Sequence, residues 1–126
     1  MPRTELDTLT QMLRASHRVL VFTGAGVSTR SGIPDYRGPQ GTWTKRQPIQ
    51  YQSFMSDLDA RKEYWHYKLD AWDEWRDAEP NATHTACVEL EHANRLEMLV
   101  TQNVDGLHLR AGTSRAKLVE VHGSNN

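Results

Sequence analysis

The sequence predicts an α/β fold, a parallel sheet with flanking helices and a helical insert. Three short strand-like runs, the apolar Val19–Phe22 and Met98–Val100 and the segment Leu118-Val119-Glu120-Val121, are separated by stretches of helical patterning. Each run leads into a turn built from glycine, asparagine or histidine. Strands alternating with helices form parallel βαβ units, and in an open parallel sheet ligands bind beyond the carboxyl ends of the strands.

Along the chain, Thr4 with Asp7 three residues on makes a capping-box pattern for a first helix. Leu6, Leu9 and Leu13 give that helix an apolar face, to about Ser16, that would cover one side of the sheet. Residues 19–23 read as the first strand, buried on both faces by their continuous apolar character. A short helix is expected near Val27, and 33–50 should be loop because of Pro34, Gly38, Pro39, Gly41 and Pro48. Helices follow near 51–57 and 60–76. The second carries Tyr64, Trp65, Tyr67, Leu69, Trp72 and Trp75, whose spacing fits packing on a neighbouring module, with ligand contact as the alternative.

Pro80-Asn81 restarts a helix, capped by Asn81 and presenting Ala86, Leu90 and Ala93 inward. His84 and Cys87 form an H-x-x-C pair, but no further ligand lies near them in sequence, so a metal site is not expected. A strand over 97–101 leads into Gln102-Asn103-Val104-Asp105 and a helix to about Arg110, ended by Ala111-Gly112. The third strand, Lys117 to Val121, delivers His122. The expected organisation is one sheet-bearing domain from 1–50 and 79–126, with 51–78 as the insert.

Composition narrows the function classes. The 126 residues are 37% hydrophobic with a net charge of −1, enough chain to bury roughly two thirds of its unfolded surface. No basic block indicates a nucleic-acid surface, and no apolar run approaches the ~20 residues that span a bilayer. Met1-Pro2-Arg3 is not followed by a signal-peptide core. The one cysteine, Cys87, excludes an intrachain disulfide and fits a reducing, cytoplasmic setting.

Function is concentrated in the turns. Gly24-x-Gly26 behind a strand lets backbone N–H groups approach a pyrophosphate, although Thr29 stands where the full dinucleotide fingerprint has its third glycine. Ser31-Gly32-Ile33-Pro34-Asp35-Tyr36-Arg37-Gly38-Pro39 combines glycine, proline, a carboxylate, a ring and a guanidinium, as suits a loop that closes over a ligand. Gln102 to Asp105 and His122 to Ser124 end the other two strands, so all three motifs should converge on one crevice. Taken singly, Asn103 and Asp105 could cap the next helix, His122 could be structural and Arg37 a solvated charge.

In these three motifs, in this order, the chain resembles the sirtuins, NAD-dependent protein-lysine deacylases, from about Val19 to Ser124. The resemblance implies a partial Rossmann-like NAD-binding domain with a helical insert beside an acyl-lysine tunnel. It assigns Gly24, Ala25, Gly26 and Ser28 to the pyrophosphate, with Thr29, Gly32 and Ile33 in the same cofactor-binding segment. Asp35, Tyr36 and Arg37 would line the nicotinamide side of a mobile loop, with Trp43 in the same flap. Gln102, Asn103, Asp105 and His122 would serve the ribose, with His122 as general base and Asn103 holding hydroxyls or a water. Trp65 and Lys68 stand nearest to a Tyr-x-x-Arg pair of relatives that prefer acidic acyl groups, which weakens a desuccinylase reading.

The family normally carries a structural zinc module of four thiolates after the histidine segment, and this sequence runs four residues past His122 with a single cysteine. A truncated sheet with an unpaired last edge is therefore expected. The implied activity is transfer of an acyl group from acyl-lysine to ADP-ribose, on an acylated protein or peptide. Alternatives are NAD hydrolysis, with water replacing the amide oxygen, and an inactive module that binds NAD weakly.

Overall fold

The computed structural model describes residues 3–125. Its contacts divide the chain into two units, one running to Gly24 and resuming at Pro80, the other spanning Ala25–Glu79.

The first unit holds a three-stranded parallel sheet in the order β1-β2-β3, formed by β1 (Val19–Thr23), β2 (Leu96–Thr101) and β3 (Leu118–Glu120). β1 pairs Thr23 with Thr101, and β2 pairs Thr101 with Glu120, so all three strands end at one level. The register shifts between Val19 and Leu20, which face Leu96 and Met98. That irregularity leaves Glu97 as the extra residue and turns Leu96 and Leu99, three apart, into the same core. Glu97 stays at the surface, taking two hydrogen bonds from Arg18 at 3.0 and 2.6 Å.

One face of the sheet is covered. Helix α6 (Ala82–His92) lays Cys87 over Leu96 and Leu99, with Val21, Leu90 and Leu118 around them. Asn81 caps this helix as expected, accepting from the Thr83 N–H at 3.0 Å, while His84 Nδ1 accepts the Asn81 N–H at 3.1 Å. The inward face differs from the expected one: His84, Cys87 and Val88 are buried, whereas Ala86 and Ala93 are exposed. The capping bond and the ring contact with His108 hold His84 inward, and helical geometry puts Cys87 and Val88 on the same side. Helix α7 (Leu107–Ala111) also contacts α6 and ends at Gly112, whose φ of 115° forms a left-handed C-cap.

The opposite face is open, which corrects the expectation that β1 is buried on both sides. Leu20 and Phe22 are 66% and 63% exposed, and across the ladder they adjoin Met98, Val100 and Val119. Helix α1 (Arg3–Ala15) does not cover them, for its own Leu6 and Leu9 are 54% and 43% exposed. Thr4 lies inside α1 rather than capping it, its carbonyl accepting from the Thr8 hydroxyl at 2.8 Å.

The second unit is helical. A 3-10 helix over Ala25–Ser31 stands where the short helix was expected. Within the expected loop, α2 (Thr42–Lys45) forms a single turn. Helix α3 (Tyr51–Ser56) precedes α4 (Leu58–Asp70) and α5 (Trp72–Asp77), so the expected helix over 60–76 is two, broken at Ala71. Asp57 caps α4 by accepting the Asp59 N–H at 2.9 Å. The aromatic residues of α4 and α5 do not make a core: Trp65, Leu69 and Trp72 are exposed, and ring contacts run instead through Phe54, Tyr64 and Trp65.

Leu99 is fully buried on the covered face and Phe22 is solvated on the open one, so the two should respond differently to truncation. Leu99→Ala is expected to lower unfolding free energy in urea by about 3 kcal/mol, and Phe22→Ser by less than about 0.5 kcal/mol. An open apolar face on a sheet whose β1 and β3 outer edges have no strand partner among the described residues also favours association, so sedimentation of the wild-type chain should show mass rising with concentration, reduced by Phe22→Ser.

Candidate active site

In the sheet unit, the candidate residues gather above the carboxyl ends of the strands. Thr23 closes β1 and Gly24 follows it. The Gln102 N–H donates to the Thr23 carbonyl at 3.0 Å, which extends the ladder one step into the turn. The Asn103 side-chain amide donates to the Gly24 carbonyl at 3.1 Å, and the Asn103 backbone N–H donates to the Thr101 hydroxyl at 3.1 Å. Asn103 is thus held at both ends and is 8% exposed.

Asp105 is used locally. Its Oδ1 accepts the Leu107 N–H at 3.0 Å, and Gly106 between them adopts a φ of 71°. The bond spans two residues, with Gly106 as the N-cap of α7, and it orders the turn that carries Asn103. His122 is exposed in the turn after β3. That turn adjoins the others, since the Val121 N–H donates to the Thr101 carbonyl at 3.0 Å and the Asn125 N–H to the Val104 carbonyl at 2.9 Å. The sheet therefore brings Gly24, Asn103 and the His122 turn to one rim.

Beneath the rim lies a polar cluster of Thr23, Thr101, His108 and His84. The Thr23 hydroxyl sits 2.8 Å from that of Thr101 and 2.9 Å from His108 Nε2. His108 stacks at a tilt on His84, with ring centroids 4.8 Å apart, and both rings are buried. Burial pushes the His108 imidazole from its ordinary 6.5 down to about 4, the neighbouring His84 adding to the shift and Asp105 opposing it. Burial lowers His84 as well. Two neutral imidazoles and two hydroxyls therefore floor the site. A threonine closing each of two strands before a motif was the available signal.

The second unit contains the remaining candidates. Ser28 is buried, its carbonyl accepting the Ile33 N–H at 3.3 Å, and Ile33 is buried. The Thr29 hydroxyl donates to the Gly26 carbonyl at 2.9 Å, and its own carbonyl accepts the Gly32 N–H at 3.1 Å, where φ is 91°. Nothing lies within 4 Å of where a Gly26 Cβ would stand. In the following loop Asp35 Oδ1 accepts the Gly38 N–H at 3.0 Å, and the Asp35 and Tyr36 carbonyls accept the Thr42 and Trp43 N–H groups at 2.8 and 2.9 Å. Tyr36 and Trp43 stack at 5.3 Å, so the flap residues associate, while Arg37 is exposed. Lys68 Nζ lies over the rings of Tyr64 and Trp75 at 5.6 and 5.9 Å, and Trp65 is exposed.

A sequence model of the Sir2 family matches residues 24–126. The chain belongs to the Sir2 family. Among relatives of this Sir2 chain, an NAD-dependent protein deacetylase of Xanthomonas axonopodis pv. citri (strain 306) is 45% identical over 97% of the chain and 41% of the relative. NAD-dependent protein deacetylase 1 of Corynebacterium efficiens is 50% identical over 94% of the chain and 41% of its own length. The chain thus spans about two fifths of these relatives. A Sir2 enzyme structure superposes with a TM-score of 0.85 at 36% identity, covering 98% of this chain and 48% of that one. A Sir2 structure with a p53 peptide and NAD+ superposes at 0.76 and 32% identity, covering 94% and 46%. The Rossmann-like α/β class expected from sequence is that of these neighbours.

Cys87 is the one cysteine, buried in the sheet core, where burial pushes its thiol up. Among the described residues no group of His, Cys, Asp and Glu is arranged around a metal.

Two outcomes follow from this geometry. At Gly41 a Cβ would stand 2.6 Å from the Tyr36 carbonyl, a backbone atom that cannot swing aside. Gly41→Ala should therefore cost about 1–3 kcal/mol and dissolve the Tyr36–Trp43 stack, read by urea titration and near-ultraviolet dichroism. The His108 pKa is depressed on folding, so as pH falls the unfolded chain binds its proton first and stability declines. Unfolding free energies from urea titration should be level above pH 6.5 and fall from there toward pH 4, by on the order of 3 kcal/mol in all, with His108→Gln removing most of the limb above pH 5.

Proposed function

We propose that this chain forms the nucleotide-binding and proton-accepting part of an NAD-dependent protein deacetylase acting on acetyl-lysine in a protein or peptide. The observation that carries the reading is the rim of the sheet unit, where the Asn103 amide rests on the Gly24 carbonyl beside the exposed His122 turn. The names of the relatives supply the reaction class.

The donor set suits a dinucleotide. The Asn103 amide, the side-chain-free backbone at Gly24 and the His122 imidazole can hold sugar hydroxyls and phosphate without a strong protein nucleophile. NAD, when bound, supplies a ribose carbon from which nicotinamide leaves and which the acyl-lysine oxygen can capture. We assign the chain's residues as follows. The His122 imidazole accepts a proton from a ribose hydroxyl through its ring nitrogen, a task an exposed imidazole at the rim can perform. Asn103 orients those hydroxyls or a water, and Asp105 holds the turn through the Leu107 N–H. Gln102 belongs to the same turn. Gly24, Ala25, Gly26 and Ser28 are assigned to phosphate, Thr29, Gly32 and Ile33 to the segment that carries them, and Asp35, Tyr36, Arg37 and Trp43 to the nicotinamide side. Trp65 and Lys68 are assigned to the acyl-lysine side.

The setting we assign is the cytoplasm, on the strength of a lone buried thiol in a chain of 126 residues. No helix among the described residues is long and apolar enough to cross a membrane. With 15 basic and 16 acidic residues, the partner we assign is an acylated peptide rather than nucleic acid.

Incubation with NAD and an acetyl-lysine peptide should release nicotinamide only when the peptide is present, and His122→Ala should lower acyl transfer at least about 100-fold. NAD affinity by calorimetry should stay within about threefold, because the imidazole is needed for proton transfer rather than for grip. Equal loss of affinity would make His122 structural, and release without peptide would make the chain a hydrolase.

A further inference from the structure

The polar cluster under the rim holds an imidazole with no part in the chemistry so far. His108 is 2% exposed and its Nδ1 has no hydrogen-bond partner among the described residues. Burying an imidazole with one bare nitrogen costs free energy that a phenyl ring of similar size would not. The cost points to a task for the other nitrogen.

Nε2 contacts the Thr23 hydroxyl at 2.9 Å. That hydroxyl also lies 2.8 Å from Thr101 Oγ1, so the ring nitrogen and the two hydroxyls form one hydrogen-bonded chain. Thr101 Oγ1 also accepts the Asn103 backbone N–H at 3.1 Å, and the Asn103 side chain reaches the Gly24 carbonyl, next to Thr23. The contacts form a closed circuit through the ends of β1 and β2. His108 enters it from α7, and Asp105 fixes the start of α7 by accepting the Leu107 N–H.

We propose that His108 is a positioning residue for Asn103: through the hydroxyls of Thr23 and Thr101 it sets the Asn103 backbone, and with it the carboxamide at the rim. The role rests on the reading of Asn103 as a ribose ligand, and its test reads Asn103 directly. His108→Phe keeps the volume and removes the nitrogen. His108→Gln places a terminal amide near the position of Nε2, Thr23→Val breaks the relay, and Thr23→Ser keeps it.

Amide hydrogen exchange by NMR on the chain is expected to show the Asn103 N–H exchanging about tenfold faster in His108→Phe and Thr23→Val, relative to the Leu99 N–H within β2, and near wild type in His108→Gln and Thr23→Ser. ADP-ribose affinity by calorimetry should fall in step with the Asn103 exchange. Uniform acceleration at Leu99 and Asn103 would overturn the proposal, since the ring would then support only the sheet. If His108→Phe does not fold, the Thr23 pair decides, and equal Asn103 protection in Val and Ser overturns it. Failure of the wild-type chain to bind ADP-ribose would sink the nucleotide reading, while Asn103 exchange would still decide the role of His108.

Discussion

Two threonines paired across a parallel ladder, Thr23 and Thr101, set the level at which this sheet stops and its turns begin. Their hydroxyls share a hydrogen bond in a buried setting, where an unpartnered hydroxyl would cost on the order of 1–3 kcal/mol. Everything above is referenced to that pair. Gln102 extends the ladder from the Thr23 carbonyl, Asn103 hangs from the Thr101 hydroxyl, and the β3 turn is tied to the Thr101 carbonyl through Val121. A turn anchored at its first residue by the sheet beneath it can present a side chain with little conformational freedom left to lose.

Much of this was legible in the sequence because the signals are local. Apolar runs ending in Gly24, Gln102 and His122 fix both the strands and the parallel order, and Asn81 behind Pro80 announces its helix. What sequence does not carry is the company each face keeps. Leu20 and Phe22 have the composition of a strand buried on both sides, yet only the Val21 side meets α6. Trp65, Leu69 and Trp72 have helical spacing that would serve a core, and they are solvated. The bulge at Glu97 is invisible to a period of two, and it alone explains why Leu96 and Leu99 share a core.

The inner face of α6 shows how a polar requirement can override periodicity. His84 cannot turn outward, because its Nδ1 completes the capping box with the Asn81 N–H and its ring lies on His108. Once His84 is fixed inward, helical geometry brings Cys87, Val88 and Glu91 to the same side and sends Ala86 and Ala93 out. The helix that covers the sheet is thus oriented by the cluster that floors the site. Packing and positioning share one set of residues, with Cys87 in the core beneath the motifs.

His108 and His122 illustrate how one side-chain type divides its roles by environment. Sealed under the turns, with a second imidazole beside it, His108 resists a proton down to about pH 4 and so works at neutrality as a fixed neutral hydrogen-bonding group. That neutrality matters to its neighbours. A protonated ring would donate from both nitrogens and bring a charge into a floor made of hydroxyls, whereas the neutral ring leaves the Thr23–Thr101 contact and the Asn103 N–H undisturbed. His122 differs in setting: it is exposed in the turn after β3, which the sheet ties to the same rim through the Val121 and Asn125 N–H groups.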